Sequence, residues 1–244
     1  MTPPDLDTDR FGTFTGEAPR RGPAVGAARA KARLAMAATG LVRGLASEAS
    51  YGPLPGGWLG HEEILLFCDD ELGIEVLEGH RGTSVPGLAH RVSPDACPPD
   101  ALLAALPEQA LIVRPSEPTG GAVIVKGITA LPALRSAVAA AAASSRDGLA
   151  LVEPDLRAQH NPSRRLVLAR LAATLARRLA TDCPACAAPG FGRVDAEPGL
   201  PCRMCHAPTP LLRNVIHGCA VCPHRAVRAV AQGADPAACP RCNP

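Results

Sequence analysis

Four Cys-x-x-Cys pairs lie in the last sixty-two residues of the chain. The pairs are Cys183/Cys186, Cys202/Cys205, Cys219/Cys222 and Cys239/Cys242. Each tight turn aims two sulfur atoms at one point, and eight thiolates are the ligand set of two tetrahedral Zn²⁺ ions. Fifteen residues separate the first pair from the second and sixteen separate the third from the fourth. This is the spacing of a zinc ribbon, so we predict two zinc ions in the tail.

The predicted zinc sites are structural. A closed site of four cysteines leaves no open coordination position for a substrate, so it does not carry catalysis. Residues 183–244 contain few large apolar side chains, and their folding therefore depends on the metal. The similar gaps favour sequential pairing, first with second and third with fourth. Spacing alone also allows an interleaved order.

Other uses of cysteine fit the sequence less well. The first residues lack an apolar export segment, which argues against disulfides and predicts a cytoplasmic protein. A thioredoxin-like site has one Cys-x-x-Cys beside a βαβ unit rather than four in series. The string Cys202-Arg-Met-Cys205-His206 matches a haem attachment sequence, but that cofactor is added outside the cytoplasm. His206, His217 and His224 are predicted spare, and Cys68 lies in an apolar run typical of a core thiol.

The charge is unevenly distributed along the chain. From residue 160 onward eleven arginines face four acids, a balance of +7, so the net charge of +2 leaves −5 for residues 1–159. A basic tail with zinc ribbons is typical of nucleic-acid binding. Two zinc–tetrathiolate centres would lower +7 to about +3, and Phe191 is the single Phe, Tyr or Trp of the tail. Nucleic acid is therefore the weaker partner hypothesis. No apolar run approaches the roughly eighteen residues of a membrane span.

Local patterns predict an α/β fold, with a mixed sheet, flanking helices and a small C-terminal double zinc-ribbon module. The predicted strands are the runs 41–47, 64–68, 74–77, 110–113, 122–125 and 149–152. The predicted helices are Ala24–Thr39 with Gly40 as C-cap, a short one at Pro98, 131–144, and one capped by Asn161. We expect an irregular segment 1–22, an α/β domain 23–181 and a zinc-binding domain 182–244.

Three polar clusters are candidate sites of chemistry. They are the string Ala46-Ser-Glu-Ala-Ser-Tyr-Gly-Pro53, the string Lys126-Gly-Ile128, and residues 147–164 with their carboxylates and arginines. The first two follow predicted strands, where α/β proteins place ligands. Glu153 and Asp155, two residues apart on an extended segment, point the same way and can share one Mg²⁺. Arg157 and Arg164, beside a helix N-terminus, suit phosphate. The alternative is that these groups form salt bridges that dock the helix.

The same strings resemble an uncharacterised bacterial family, the domain of unknown function 6671. Further matching strings are Gly12-Thr-Phe-Thr-Gly-Glu17, Ala28-Arg-Ala-Lys-Ala32 and the Cys-x-x-Cys segments down to Cys239-Pro-Arg-Cys-Asn-Pro244. The family pattern has Gly at position 49 and His at position 159, where this chain has Ala49 and Gln159. It also has a strand and a Gly-Lys-Glu loop before Thr13, so we expect this copy to be truncated, mis-started or degenerate. The resemblance implies no established activity.

A more distant analogy is carried by the order of a Lys-Ala helix, a Gly cap, a strand and an acidic loop with Gly-Pro. This order is similar to the house-cleaning nucleoside-triphosphate pyrophosphatases. The analogy implies that Lys31 contacts phosphate and that Glu48 binds metal. Ser47 stands where that family often has an acid.

Together these observations give two functional hypotheses. The first is a hydrolase of a nucleotide or other phosphorylated small molecule, with Mg²⁺ held by Glu48, Glu153 and Asp155. Its phosphate ligands would be the cationic residues Lys31, Lys126, Arg157 and Arg164. The second is a non-enzymatic adaptor whose zinc ribbons bind a protein or a nucleic acid.

Overall fold

The structure is a computed structural model that describes residues 6–15, 17–53, 57–83, 87–121 and 123–244. Its strands are divided among three sheets, and the ladders between them are antiparallel. Four α-helices accompany the strands within these ranges. The predicted α/β class is confirmed, with a C-terminal cysteine-rich module that could form zinc ribbons. The predicted mixed sheet is wrong, because the strands form three sheets with antiparallel ladders.

The first sheet has the order β1-β2-β3. Its strands are β1 (Arg43–Pro53), β2 (Leu59–Asp69) and β3 (Ile74–Gly82). Helix α1 (Ala24–Thr39) covers one face and ends at Gly40, whose φ of +68° is the left-handed cap that the sequence predicts. The helix can approach closely because Gly44 has no side chain, and a Cβ there would lie 2.7 Å from Met36.

Helix α4 (Pro162–Leu179) covers the opposite face of the first sheet. Leu171 and Leu175 of its apolar stripe pack on the sheet. The helix begins as predicted, because the side-chain oxygen of Asn161 accepts a hydrogen bond of 3.0 Å from the backbone N–H of Arg164. The first sheet therefore lies between two helices.

The second sheet has the order β4-β7-β5-β6 and packs against helix α3 (Leu131–Ala143). Its strands are β4 (His90–Val92), β5 (Leu111–Pro115), β6 (Val125–Ile128) and β7 (Ala150–Pro154). The short helix α2 (Asp100–Ala104) follows Pro98 and Pro99 as predicted. The sequence analysis did not predict β4.

The third sheet occupies the cysteine-rich tail, in the order β10-β9-β8. Its strands are β8 (Gly192–Pro198), β9 (Leu212–Gly218) and β10 (Arg225–Ala229). None of the helices in the described ranges combines the length and apolarity that crossing a membrane demands.

Several predicted strand boundaries are wrong, and two of them bear on the candidate site. The strand predicted over residues 41–47 extends to Pro53, so the polar string from Ala46 to Pro53 lies inside β1 rather than in a loop after it. Its residues pair with β2, which supplies the backbone partners that a loop would lack. The strand predicted at 122–125 begins at Val125 instead, and Ala122 lies outside the described residues.

Candidate functional site

The eight cysteines of the tail form two compact groups, the four-cysteine groups. One group is Cys183, Cys186, Cys219 and Cys222, and the other is Cys202, Cys205, Cys239 and Cys242. Within each group the four sulfur atoms lie within 4.8 Å of one another. These groups can hold metal ions.

The sulfur positions fit a tetrahedral ion. The closest Sγ–Sγ distances are 3.7 Å for Cys183–Cys222 and 3.6 Å for Cys186–Cys219. In the second group Cys205 and Cys239 are 3.6 Å apart. Four sulfur atoms about 2.3 Å from one Zn²⁺ are separated by about 3.8 Å, whereas a disulfide bond is about 2.05 Å long. The geometry matches a shared cation.

The pairing of the cysteines is interleaved, and the expectation of sequential ribbons is wrong. The reason is the antiparallel sheet, whose register places Gly192 at the start of β8 opposite Gly218 at the end of β9. The first pair precedes Gly192 and the third pair follows Gly218, so both lie at one end of the sheet. The second and fourth pairs lie at the other end, after β8 and after β10.

Backbone N–H groups stabilise the thiolate form of one cysteine in each group, whereas hydrogen bonds from neighbouring cysteines raise the pKa values of Cys186 and Cys242 to about 12. Burial raises the pKa of Cys219, but hydrogen bonds from the backbone of Cys222 and Val221 outweigh it and bring the pKa to about 6. A hydrogen bond from the backbone of Cys242 is the largest influence on Cys239, whose pKa falls to about 7. Thiolates are the form that binds a metal.

A second candidate site is an open cavity of about 1070 Å³. It lies along the edge strand β1, seven consecutive residues of which, 45–51, line it. The N-terminal segment 6–22 forms another wall, together with residues at β6, after β7 and at the start of α4. The predicted residues that line it are Lys31, Glu48, Lys126, Asp155, Arg157 and Arg164.

Glu48 is the carboxylate on the α1 side of β1. It is opposite Ile64 in the ladder, and Ile64 packs against α1. Lys31 of that helix donates a hydrogen bond of 2.6 Å to Glu48, and Arg20 of the N-terminal segment lies 3.5 Å away. Glu48 is 7% exposed. Two cations thus share one buried carboxylate, which leaves a positive charge in excess.

Asp155 is the second carboxylate of the cavity, and it is fully buried. The guanidinium of Arg157 donates to both of its oxygens, at 2.6 and 3.1 Å. The backbone N–H of Gly127 donates to it at 3.1 Å. The hydrogen bond with Asp155 raises the pKa of Arg157. Gly127 has a φ of +75°, a conformation that glycine adopts without strain.

Arg164 has a buried partner that the sequence analysis missed. Its guanidinium donates two hydrogen bonds to Glu63 of β2, at 2.7 and 2.8 Å. Glu63 is fully buried and Arg164 is 6% exposed. Glu63 lies opposite Ala49 in the ladder, on the face that α4 covers. This pair supports the alternative in which Arg164 docks the helix.

Lys126 contacts the N-terminal wall of the cavity. Its Nζ lies 3.7 Å from Asp9 and forms a closer ion pair with Glu17. Hydrogen bonds from Lys126 and then from Thr15 lower the pKa of Glu17. The ion pairs connect β6 to the N-terminal segment.

Most of the chain matches a known protein family. A protein-family model described as "Domain of unknown function (DUF6671)" matches residues 31–244. The chain belongs to the DUF6671 family. No curated protein matches the chain, and no solved structure matches it. The DUF6671 match covers both four-cysteine groups and all six of the predicted residues that line the cavity.

Glu153 is separate from the other predicted residues of this DUF6671 protein. Its carboxylate accepts a hydrogen bond of 3.0 Å from Arg114, and it lines a small neighbouring cavity of about 70 Å³. Among the described residues, the two four-cysteine groups are the sets of three or more potential ligands that lie close together. Glu48, Glu153 and Asp155 do not form such a set. After β7 ends at Pro154, Asp155 turns inward to bind Gly127 and Arg157.

Other residues of the site had no role in the sequence prediction. Arg20, Phe14 and Tyr51 line the cavity. The rings of Phe14 and Tyr51 are 5.7 Å apart, and the Arg164 guanidinium lies 5.4 Å from the Phe14 ring centre. Burial raises the pKa of Tyr51, against the opposing charge of Arg164. The chain has six Phe, Tyr and Trp residues in all, and their scarcity is a signal that could have singled out this pair.

The remaining thiols and imidazoles are outside the four-cysteine groups. Cys68 is fully buried in the core between α1 and the first sheet, as predicted. His217 and His224 lie near the ring of Phe191. His206 has a φ of +57° in the turn after Cys205. These histidines stay predicted as spare.

Proposed function

We propose that the cavity beside β1 binds a phosphorylated small molecule of nucleotide size, and that the protein hydrolyses it with a divalent cation. The observation that carries this proposal is the convergence of Lys31, Lys126, Arg157 and Arg164, from separate segments, on one cavity with Glu48 and Asp155. A volume of about 1070 Å³ is at the upper end of small-molecule sites.

The charges of the cavity favour an anionic ligand together with a cation. Lys31 and Arg20 both contact Glu48, and Arg157 binds Asp155. A phosphate group would compete for these cationic side chains, and guanidinium groups bind phosphate oxygens well. The carboxylates released in this way would then be free to hold Mg²⁺. Such a metal ion polarises the phosphoryl group and activates water.

We assign the proposed roles unequally. Lys31, Lys126 and Arg157 are proposed to contact phosphate, whereas the buried pair with Glu63 makes Arg164 the weakest of the four. Glu48 and Asp155 are the proposed magnesium ligands. The sequence hypothesis gives Glu153 the same role, but its partner Arg114 and its separate cavity make it the weakest of the carboxylates.

We further propose that each four-cysteine group holds one Zn²⁺ ion. Thiolate ligands and four sulfur atoms with tetrahedral separations favour zinc. The coordination shell is complete without water, so the proposed role is to stabilise the fold. Thiolate sites of this kind persist in a reducing compartment, which agrees with a cytoplasmic protein.

Phosphate or pyrophosphate release tests the hydrolase proposal. The full-length, zinc-loaded protein is assayed with Mg²⁺ on a panel of nucleoside triphosphates and sugar phosphates. We expect Glu48→Gln to lower the rate at least about 100-fold. The matched control is Glu62→Gln, because Glu62 of β2 forms an ion pair with Arg81 of the neighbouring strand β3. This variant should retain activity.

Pyrophosphate binding gives a separate readout. We expect pyrophosphate to raise the unfolding temperature of the wild type, and Lys31→Met to reduce that increase. No release from any substrate, combined with no stabilisation by pyrophosphate, would reject the cavity as a phosphate site. The alternative is a non-enzymatic adaptor whose zinc ribbons bind a protein or a nucleic acid. The observation that favours it is that none of the six arginines of residues 183–244 has a carboxylate within 4.0 Å among the described residues.

A further inference from the structure

The arginines near the end of the chain lack acidic partners. Of the eleven arginines from residue 160 onward, Arg164 and Arg178 alone have a carboxylate within 4.0 Å in the described ranges. Before residue 160, ten of the fourteen lysines and arginines have such a partner there. The other nine guanidinium groups therefore carry charges that no carboxylate in the described ranges neutralises.

Two of these arginines lie on the same face of the third sheet. Arg193 of β8 is directly opposite His217 of β9, and Arg228 of β10 is directly opposite Val215. His217 and Val215 are two residues apart on β9, so their side chains point to the same side. Both arginines are exposed. The face thus presents two unpaired charges on its outer strands.

A third arginine lies near one end of this sheet. Arg178 extends from the end of α4 over Gly192, where a Cβ would lie 2.7 Å from its side chain. Arg178 already pairs with Glu78 and adds no unpaired charge to this face.

Two neighbouring positions of this face carry alanine. Ala226 and Ala196 stand on the outer strands beside the central His217 and Val215. Protein interfaces are usually anchored by large aromatic side chains, and Phe191 is 7% exposed. Base stacking also needs exposed aromatic rings. The four-cysteine groups, which would be negatively charged with zinc, lie at the two ends of the sheet, away from its central rows.

We propose that this face binds the phosphate backbone of a nucleic acid, with Arg193 and Arg228 as direct phosphate ligands and no reading of base sequence. Arginine pairs with phosphate through two parallel hydrogen bonds. The contact is electrostatic, so it depends strongly on salt. The proposal does not depend on the cavity or on any hydrolase activity.

Fluorescence anisotropy of the full-length, zinc-loaded protein with a mixed-sequence DNA duplex of about 20 base pairs tests the proposal. We expect Arg193→Glu with Arg228→Glu to raise Kd at least about 10-fold. The matched control is Arg135→Glu with Arg146→Glu, because these arginines are also exposed and lack a carboxylate partner in the described ranges. The control changes the net charge equally and should have a much smaller effect.

The salt dependence of Kd distinguishes direct arginine–phosphate contacts from the effect of the net charge of the protein. Between about 50 and 200 mM salt, the neutral variant Arg193→Gln with Arg228→Gln should have a slope of log Kd against log salt that is smaller by about 2. This variant also serves if the double glutamate variant fails to fold. Equal losses in the variant and the control, or binding of poly-glutamate in preference to the duplex, would overturn the proposal.

Discussion

Residues 24–179 and residues 183–244 of this protein differ in how they are stabilised. In the first region, helices bury large aliphatic side chains against two sheets, and Leu66, Leu111 and Leu134 are at most 1% exposed. In the second region, the sheet β8–β10 buries few large apolar side chains. Those below 9% exposure there are Phe191, Leu200 and Ile216, beside buried cysteines. A sheet with so small a core depends on the four-cysteine groups at its ends.

The two regions also treat charge differently. The first region pairs most of its cations with carboxylates, including the buried pair of Arg164 and Glu63. The six arginines of the second region are exposed and have no carboxylate within 4.0 Å among the described residues. A protein gains little stability from exposed charges, so unpaired arginines suit binding rather than folding. The first region is thus stabilised by apolar burial, whereas the second would be stabilised by the metal ions that we propose for its four-cysteine groups.

Metal removal should produce the largest difference in stability between the two regions. We expect a chelator to unfold the third sheet and to leave the first two sheets folded, because structural zinc contributes on the order of 10–16 kcal/mol to small domains. Hydrogen exchange measures this directly. Amides of β9 should lose protection and those of β2 should keep it. Equal loss in both strands would show a single cooperative unit and would contradict the predicted boundary at residue 182.

Pairs of cysteine substitutions should separate the interleaved from the sequential order. Cys183→Ser with Cys219→Ser damages one group and should remove one of two bound ions. Cys183→Ser with Cys202→Ser damages both groups and should remove both ions. Native mass spectrometry counts them. The sequential order predicts the opposite result for these two variants, so the same pair of measurements can reject the interleaved structure.

The buried ion pair in the first region should contribute less to the free energy of unfolding than the metal does, and more than any surface ion pair. Replacing Glu63 by Gln leaves the Arg164 charge buried without its partner, and we expect a loss of about 3 kcal/mol. The neighbouring Glu62→Gln removes an exposed partner of Arg81 and should cost below about 1 kcal/mol. Urea unfolding of both variants gives the comparison. Similar costs would mean that water reaches the Glu63 carboxylate in solution.

Local features of the fold could be predicted from the sequence. Helix α1 has the predicted bounds because its Ala-rich pattern and the Gly40 cap are adjacent signals. The start of α4 could be predicted in the same way, because Asn161 is its N-cap. The pairing order of the cysteines depends on strand register, which the similar gaps between the Cys-x-x-Cys pairs do not encode. The register of the antiparallel sheet decides it instead.

The residues of the cavity could also be predicted from the sequence only in part. Five of its six predicted residues were found because they lie in polar strings with unusual composition. Glu63 was missed because it lies in the apolar strand β2, and its partner Arg164 is 101 residues away. A carboxylate flanked by buried strand residues requires a cation somewhere in the fold. The sequence supplies that requirement but no means of choosing among the many arginines.

A substitution in the turn after the first cysteine pair should have the smallest effect on the free energy of unfolding. Ala187 has a φ of +56°, a left-handed conformation that costs a residue with a Cβ roughly 1–2 kcal/mol. Ala187→Gly removes that cost but increases the freedom of the unfolded chain, so we expect a net gain of about 0.5–1 kcal/mol in the third sheet. Ala188→Gly, one residue later, lacks the strain and should lose about as much. Denaturant unfolding at fixed zinc concentration measures both, and equal losses would show that the turn is unstrained.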